Sequence, residues 1–214
     1  SLMFMLALAK HTVAYDRMVR KGAWEIRFDH PPVDLAGRTV LILGFGRIGR
    51  RLVKRCLGME MTVLVHDPYV IQDAIATAGA EPVGDWRAAL PDVDFLSVNC
   101  PKNAETNGMV GSPELAVMKE TAYVVNTARG GIVDEAALVE ALKAEVIAGA
   151  GIDVYDIEPL PRDHALRGLD NAVLTGHTGY VVKELYEVAY GEAVEDIQAW
   201  MKGKPIRVLN GEES

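Results

Sequence analysis

The sequence predicts an α/β fold built on a doubly wound parallel sheet, with helices at both ends of the chain set apart from it. Three observations carry that prediction. From Thr39 onward, short β-rich runs alternate with helical patterns. The strand candidates are apolar almost throughout, as strands covered on both faces are. The first of them runs straight into a glycine-rich turn and then a helix.

The elements follow in order. Leu2, Met3, Leu6, Ala9 and Val13 keep helical spacing and predict one opening helix over residues 1–24, ending near Gly22-Ala23-Trp24. The apolar run Leu2–Ala9 is far short of the ~20 residues that span a bilayer. Without a basic lead or a small-residue cleavage site, it also argues against a signal peptide. The chain reads as starting inside a helix, its natural N-terminal part missing; Ser1 as an N-cap is the blander alternative. A connector over residues 25–37 carries Pro31-Pro32. Strands are expected at Val40–Leu43, Met61–Val65, Phe95–Val98, Tyr123–Asn126, Gly149–Val154 and Ala172–Leu174. Helices are expected around Ile48, Leu52, Val53 and Cys56, over Ile71–Ala78, over Glu135–Lys143, and as a long amphipathic tail from Val182 to Met201. The expected division is a sheet domain over 31–180, with 1–30 and 181–214 as helices that join or complete a second domain.

Composition narrows the function classes. At roughly 150 residues per domain, 214 residues make one generous domain or a domain and a half. Half the residues are hydrophobic (50%), enough for a sizeable core. A net charge of −8 is a poor match for nucleic acid or an anionic membrane, so neither is expected as a partner. Cys56 and Cys100 stand far apart, outside any CxxC spacing, and read as free thiols in a reducing, cytoplasmic compartment. No metal site is expected.

Val40-Leu41-Ile42-Leu43 leads into Gly44-Phe45-Gly46-Arg47-Ile48-Gly49. A bare GxGxxG is weak evidence. Here a strand precedes it, a helix follows, and Asp67 stands at the end of the next strand, which is the dinucleotide context of a Rossmann-type fold. Gly44 makes the tight turn, Gly46 admits a pyrophosphate, and Gly49 lets helix and strand pack closely. Amides around Arg47 and Ile48 open the helix and face phosphates. Asp67 suits a ribose diol and repels a 2′-phosphate, favouring NAD over NADP; its blander role is a turn former before Pro68. S-adenosylmethionine is the competing occupant of such a loop.

Three polar residues follow strand ends, where open α/β sheets bind ligands: Arg129, Glu158 and His177. Each alone has an ordinary explanation, as a surface turn, a solvated acid or a structural histidine. Three together, behind a dinucleotide motif, point to chemistry.

The runs Asn126-Thr127-Ala128-Arg129-Gly130-Gly131-Ile132-Val133-Asp134-Glu135, Gly151-Ile152-Asp153-Val154-Tyr155-Asp156-Ile157-Glu158-Pro159 and Gly176-His177-Thr178-Gly179-Tyr180 resemble, in order and spacing, the D-isomer-specific 2-hydroxyacid dehydrogenases. The resemblance extends to His66-Asp67-Pro68 and the opening helix, and covers nearly the whole chain. It implies an NAD-dependent enzyme moving a hydride between NADH and a small 2-oxo or 2-hydroxy acid. Arg129 would hold the substrate carboxylate, His177 would be the acid and base, and Glu158 would orient His177 and favour its imidazolium. Asp153 would bond the nicotinamide end. Thr127, Ala128, Cys100 and Pro101 would line the cofactor pockets, and Gly179 would lie beneath the nicotinamide ring. Gly176 stands where the family usually has proline, and Asn99 where it commonly has histidine. The family also carries a longer N-terminal segment whose loop meets the substrate. A homodimer is implied, through the opening helix and the Arg20–Pro32 arm, with the apolar face of Leu2–Ala9 expected to be exposed for a partner. The rival reading is an NAD-sensing, corepressor-type binding protein on the same scaffold.

Overall fold

The computed structural model describes residues 1–24 and 31–209. Part of the connector and of the Arg20–Pro32 arm therefore lies outside the described residues. Seven strands form one parallel sheet: β1 (Thr39–Leu43), β2 (Thr62–His66), β3 (Glu81–Pro82), β4 (Phe95–Val98), β5 (Tyr123–Asn126), β6 (Gly149–Ile152) and β7 (Ala172–Leu174). Their order is β3-β2-β1-β4-β5-β6-β7. The order reverses between β1 and β4, which makes their C-terminal ends the topological switch point.

The strands exist because their side chains are buried on both faces. Leu41, Leu43, Leu96, Val98 and Val124 fill one layer. Val40, Ile42, Val63, Val65, Phe95 and Val125 fill the other. Each such residue is worth roughly 1.5–3 kcal/mol of burial. The first layer also takes α7 (Glu135–Lys143), through Leu138, Val139, Ala141 and Leu142. The second takes α3 (Arg47–Gly58), whose Leu52, Val53 and Cys56 face inward while its arginines face water. Asp134 caps α7 by accepting the Ala137 amide at 2.9 Å.

Most expected elements are present within a residue or two. Three that were not expected are β3, α5 (Trp86–Ala89) and α6 (Ser112–Ala116). β6 stops at Ile152, two residues earlier than expected, because Asp153 leaves the sheet to build the site.

The opening region departs most from expectation. It is two helices, α1 (Leu2–Ala9) and α2 (Thr12–Arg20), broken at His11, whose φ of 49° is left-handed. The buried residues of α1 are Phe4, Met5, Leu8 and Ala9; of the spaced set Leu2, Met3, Leu6 and Ala9, only Ala9 is fully buried, and Met3 is 57% exposed. A helix apolar on every side carries no periodicity to say which side turns inward. Phe4, Met5, Leu8 and Ala9 pack on the sheet, while on the face expected to await a partner Met3 is exposed and Leu2 and Leu6 are half-buried. β6 makes room with Gly151, where a Cβ would come 2.6 Å from the Phe4 ring.

The chain divides into two units, Ser1–His177 and the residues from Thr178. The second contains α8 (Lys183–Met201), whose Leu185, Val188, Ile197 and Trp200 are exposed. No described helix is long and apolar enough to cross a membrane.

Candidate active site

The glycine loop caps the switch point. Gly44 has φ 103°, and a Cβ there would meet Cys100 N at 2.8 Å and Asn99 O at 2.9 Å. The loop after β4 thus lies directly on the turn after β1, and it brings Cys100 and Pro101 beside the motif. A Cβ on Gly49 would strike Gly44 O at 2.1 Å, so only glycine lets α3 start here. Gly46 is different: nothing lies within 4 Å of its missing Cβ. That open space stands before the first amides of α3, at Arg47 and Ile48, where no side chain caps the helix. Uncapped amides at a helix N-terminus beside a clear approach fit a pyrophosphate.

Asp67, just past β2, accepts the Phe45 amide at 2.7 Å on one oxygen and the Tyr69 amide at 2.9 Å on the other. The carboxylate is therefore both turn former and anchor of the glycine loop. Tyr69 donates its hydroxyl to Glu105 at 2.8 Å, placing a second acid near this end of the site.

At β5, Asn126 shapes the turn that carries Arg129. Its buried amide accepts the Ala128 N–H at 3.0 Å and donates to the Arg129 carbonyl at 3.0 Å. The Arg129 guanidinium is exposed and donates to the Ala128 carbonyl at 2.6 Å. The Thr127 hydroxyl is 2.7 Å from that of Ser1. Sequence reasoning gave Asn126 no role, although an Asx side chain at a strand end before glycines is a turn signal.

At β6 and β7 the geometry is tightest. Asp153 is buried, accepts the Thr175 hydroxyl, and through its carbonyl accepts the His177 amide at 2.7 Å. That bond holds His177 at φ 56°, a left-handed conformation uncommon outside glycine. His177 Nδ1 lies 2.6 Å from Glu158 Oε2, and Glu158 Oε1 accepts the Tyr155 amide at 3.0 Å. Both side chains are about one-third exposed, at 35% and 34%. Burial alone would raise the Glu158 carboxyl, but the His177 and Tyr155 hydrogen bonds outweigh it and hold the group below its ordinary value. Burial, reinforced by Asp153, pushes the Tyr155 phenol up to about 12, so it stays a donor. Burial likewise raises the Cys100 thiol, which makes it a poor nucleophile.

The structure thus brings Glu158 to His177, Cys100 to Gly44, and Asp67 to the glycine loop. Arg129 stands at the neighbouring strand end, turned onto its own loop. Gly179 belongs to the second unit. No cluster of three His, Cys, Asp or Glu among the described residues could hold a metal ion. A groove of about 470 Å³ opens at the opposite edge, beside the starts of β5–β7, away from all these groups.

A parallel sheet of this order, with an open glycine loop and polar groups at its strand ends, defines a dinucleotide-binding α/β protein. Residues 2–179 match the family model described as D-isomer specific 2-hydroxyacid dehydrogenase, NAD binding domain. The chain belongs to that family, and S-adenosylmethionine as the occupant of the glycine loop falls with it. It is 40% identical over 207 residues to D-3-phosphoglycerate dehydrogenase of Archaeoglobus fulgidus, covering 97% of this chain and 39% of the relative. It is 38% identical over 213 residues to glyoxylate reductase of Korarchaeum cryptofilum, covering 97% and 64%. The crystal structure of a glyoxylate reductase from Paecilomyes thermophila superposes with a TM-score of 0.84 at 29% identity, over 98% of this chain and 63% of that one. The chain spans between about one-third and two-thirds of the length of the relatives it matches.

Proposed function

We propose that these residues form the cofactor half of an NAD-dependent oxidoreductase that interconverts a small 2-oxo acid and its D-2-hydroxy acid. One observation carries the reading: an imidazole oriented by a carboxylate at 2.6 Å, at the strand ends of an NAD-binding sheet.

Gly44–Gly49 would hold the pyrophosphate on the first amides of α3, and Asp67 the adenosine ribose diol. Arg129 would swing from the Ala128 carbonyl to clamp the substrate carboxylate, a bidentate task suited to a guanidinium. Bound NADH supplies the hydride, two electrons and one hydrogen, to the carbonyl carbon. His177 delivers the balancing proton from Nε2 to the carbonyl oxygen, while Glu158 on Nδ1 fixes the ring and stabilises its cationic form. In the reverse direction His177 takes that proton back. Asp153, itself held by Thr175, would bond the nicotinamide end, with Thr127, Ala128, Cys100 and Pro101 along the pocket wall and Gly179 beneath the ring.

The relatives' names support a small 2-oxo acid as substrate. We read the compartment as cytoplasmic, in keeping with free Cys56 and Cys100. We also read the assembly as a homodimer. α2, which has no buried residue, and the exposed Trp24 support it.

The test is NADH oxidation with glyoxylate and hydroxypyruvate, alongside NADH binding. His177→Gln should cut the rate by roughly 10²–10⁴-fold, as loss of a general acid does, with NADH affinity kept. An unchanged rate would remove His177 from the chemistry. No turnover in any form, with tight NADH binding, would favour the NAD-sensing reading.

A further inference from the structure

The geometry points to Glu135 as a positioning residue for the Glu158–His177 pair, acting through the Tyr155–Asp156 turn, with His164 holding Glu135 in place. The inference rests on the reading of His177 as proton donor.

Glu135 opens α7, yet neither of its carboxylate oxygens serves that helix. Oε2 accepts the Asp156 amide at 3.2 Å, and Oε1 lies 3.0 Å from His164 Nε2. The side chain is only 16% exposed. An acid in a first helical turn is ordinarily explained by the helix dipole. Here Asp134 already caps α7, and Glu135 reaches instead to two segments far along the chain.

The ring of His164 is fixed from both sides. Its Nδ1 accepts the Leu166 amide at 3.3 Å, capping the 3-10 turn Ala165–Gly168. A nitrogen that accepts cannot carry the proton, so the proton sits on Nε2, which donates to Glu135.

The turn that Glu135 grips is where the site converges. The Asp156 amide goes to Glu135, and the preceding amide, of Tyr155, goes to Glu158 Oε1 at 3.0 Å. Two adjacent amides thus hold two carboxylates, and the second carboxylate holds His177. The Tyr155 hydroxyl lies 2.7 Å from the Thr175 carbonyl and 3.1 Å from that of Ile152, tying the turn to β6 and β7. Gly130, next to Arg129, lies so close that a Cβ would come 1.9 Å from the Tyr155 carbonyl oxygen. If the turn drifts, the Glu158 carboxylate, the His177 ring and the Arg129 loop all lose their reference. The charged or titratable groups acting on Tyr155 are Asp153, Arg167, Glu135 and Glu158. Those acting on Glu158 are His177 and Asp153. Glu135 is not among the groups acting on Glu158, so its influence on that carboxylate must travel through geometry.

Glu135→Ala tests the proposal, read by the carboxyl titration of Glu158 and the downfield Nδ1–H resonance of His177 in the 214-residue chain. With the turn released, Glu158 should lose its amide partner and titrate closer to an ordinary carboxylate. The His177 resonance should broaden or vanish, while NADH affinity changes less than about twofold. In turnover, kcat should fall at least tenfold with the KM for NADH unchanged. Should Glu135→Ala fail to fold, His164→Asn decides. Asparagine can still cap the 3-10 turn but offers no Nε2 donor, so the same shifts should appear at smaller amplitude. Unchanged Glu158 and His177 signals in whichever variant folds, with only the melting temperature lowered, would reduce Glu135 to a fold stabiliser and overturn the proposal. Failure of the catalytic reading itself would look different: Glu158→Gln would leave turnover and its pH profile untouched.

Discussion

Asp67 carries two jobs on one carboxylate. Each oxygen already accepts a backbone amide, one from the glycine loop and one from its own turn, and each keeps a second lone pair for a ribose hydroxyl. Its charge, with Glu105 close by through Tyr69, opposes a 2′-phosphate. NADH is therefore expected to bind at least tenfold more tightly than NADPH in a fluorescence titration. Asp67→Ala should narrow that gap, and should also weaken NADH, because the Phe45 amide loses its anchor. Equal affinities in the unmodified protein would take Asp67 out of cofactor choice. The double role explains why the sequence supported both readings of this residue: an acid before proline at a strand end satisfies a turn and a ribose alike.

At the level of elements, α6 shows how a short helix survives. Glu114 accepts the Gly111 amide at 2.9 Å and the Arg87 Nε–H at 2.8 Å, with its side chain mostly buried. Burial works to raise its carboxyl, but the Arg87 and Gly111 hydrogen bonds win and lower it. A depressed carboxyl stabilises the fold at pH above its unfolded value of about 4.3. That contribution is lost as pH falls through the lower folded value. Glu114→Ala should lower the melting temperature at pH 7 by a few degrees, the scale of losing a helix cap of ~1 kcal/mol in a chain this size. The deficit should shrink steadily below about pH 4.3. A deficit independent of pH would contradict the assignment.

The same scale shows what the sequence made legible. Continuous apolar strands announced β1, β2, β4 and β5, and a motif with its context announced the glycine loop. β3, α5 and α6 are too short for any period to register. The inward face of α1 was hidden because apolar residues surround it. At the site, the residues with diagnostic chemistry were readable, whereas Asn126, Tyr155, Thr175 and Glu135 were not. Those four act by linking segments that meet only in the fold.

For the whole molecule, binding and turnover make different demands. The groups proposed to hold NAD lie almost entirely within Ser1–His177, Gly179 being the exception, so the 214-residue chain should bind NADH. Turnover also needs the 2-oxo carbon held about 3–3.5 Å from the hydride donor in a closed, dry cleft. The matched relatives are longer than this chain, and each ~1.4 kcal/mol of lost orientation costs tenfold in rate. The 214-residue chain should therefore reduce glyoxylate or hydroxypyruvate orders of magnitude more slowly than an intact relative. Equal rates would mean that these residues suffice for substrate positioning.

The central claim is that Glu158 orients and charges His177 for proton delivery on an NAD-binding sheet. The most direct measurement is the pH–rate profile of 2-oxo acid reduction in the unmodified protein and in Glu158→Gln, with NADH affinity measured in parallel. Reduction consumes an imidazolium, so the rate should fall as pH rises. Removing a carboxylate 2.6 Å from Nδ1 should lower the rate and alter the profile, with NADH affinity unchanged. Superimposable profiles in the two proteins would contradict the account.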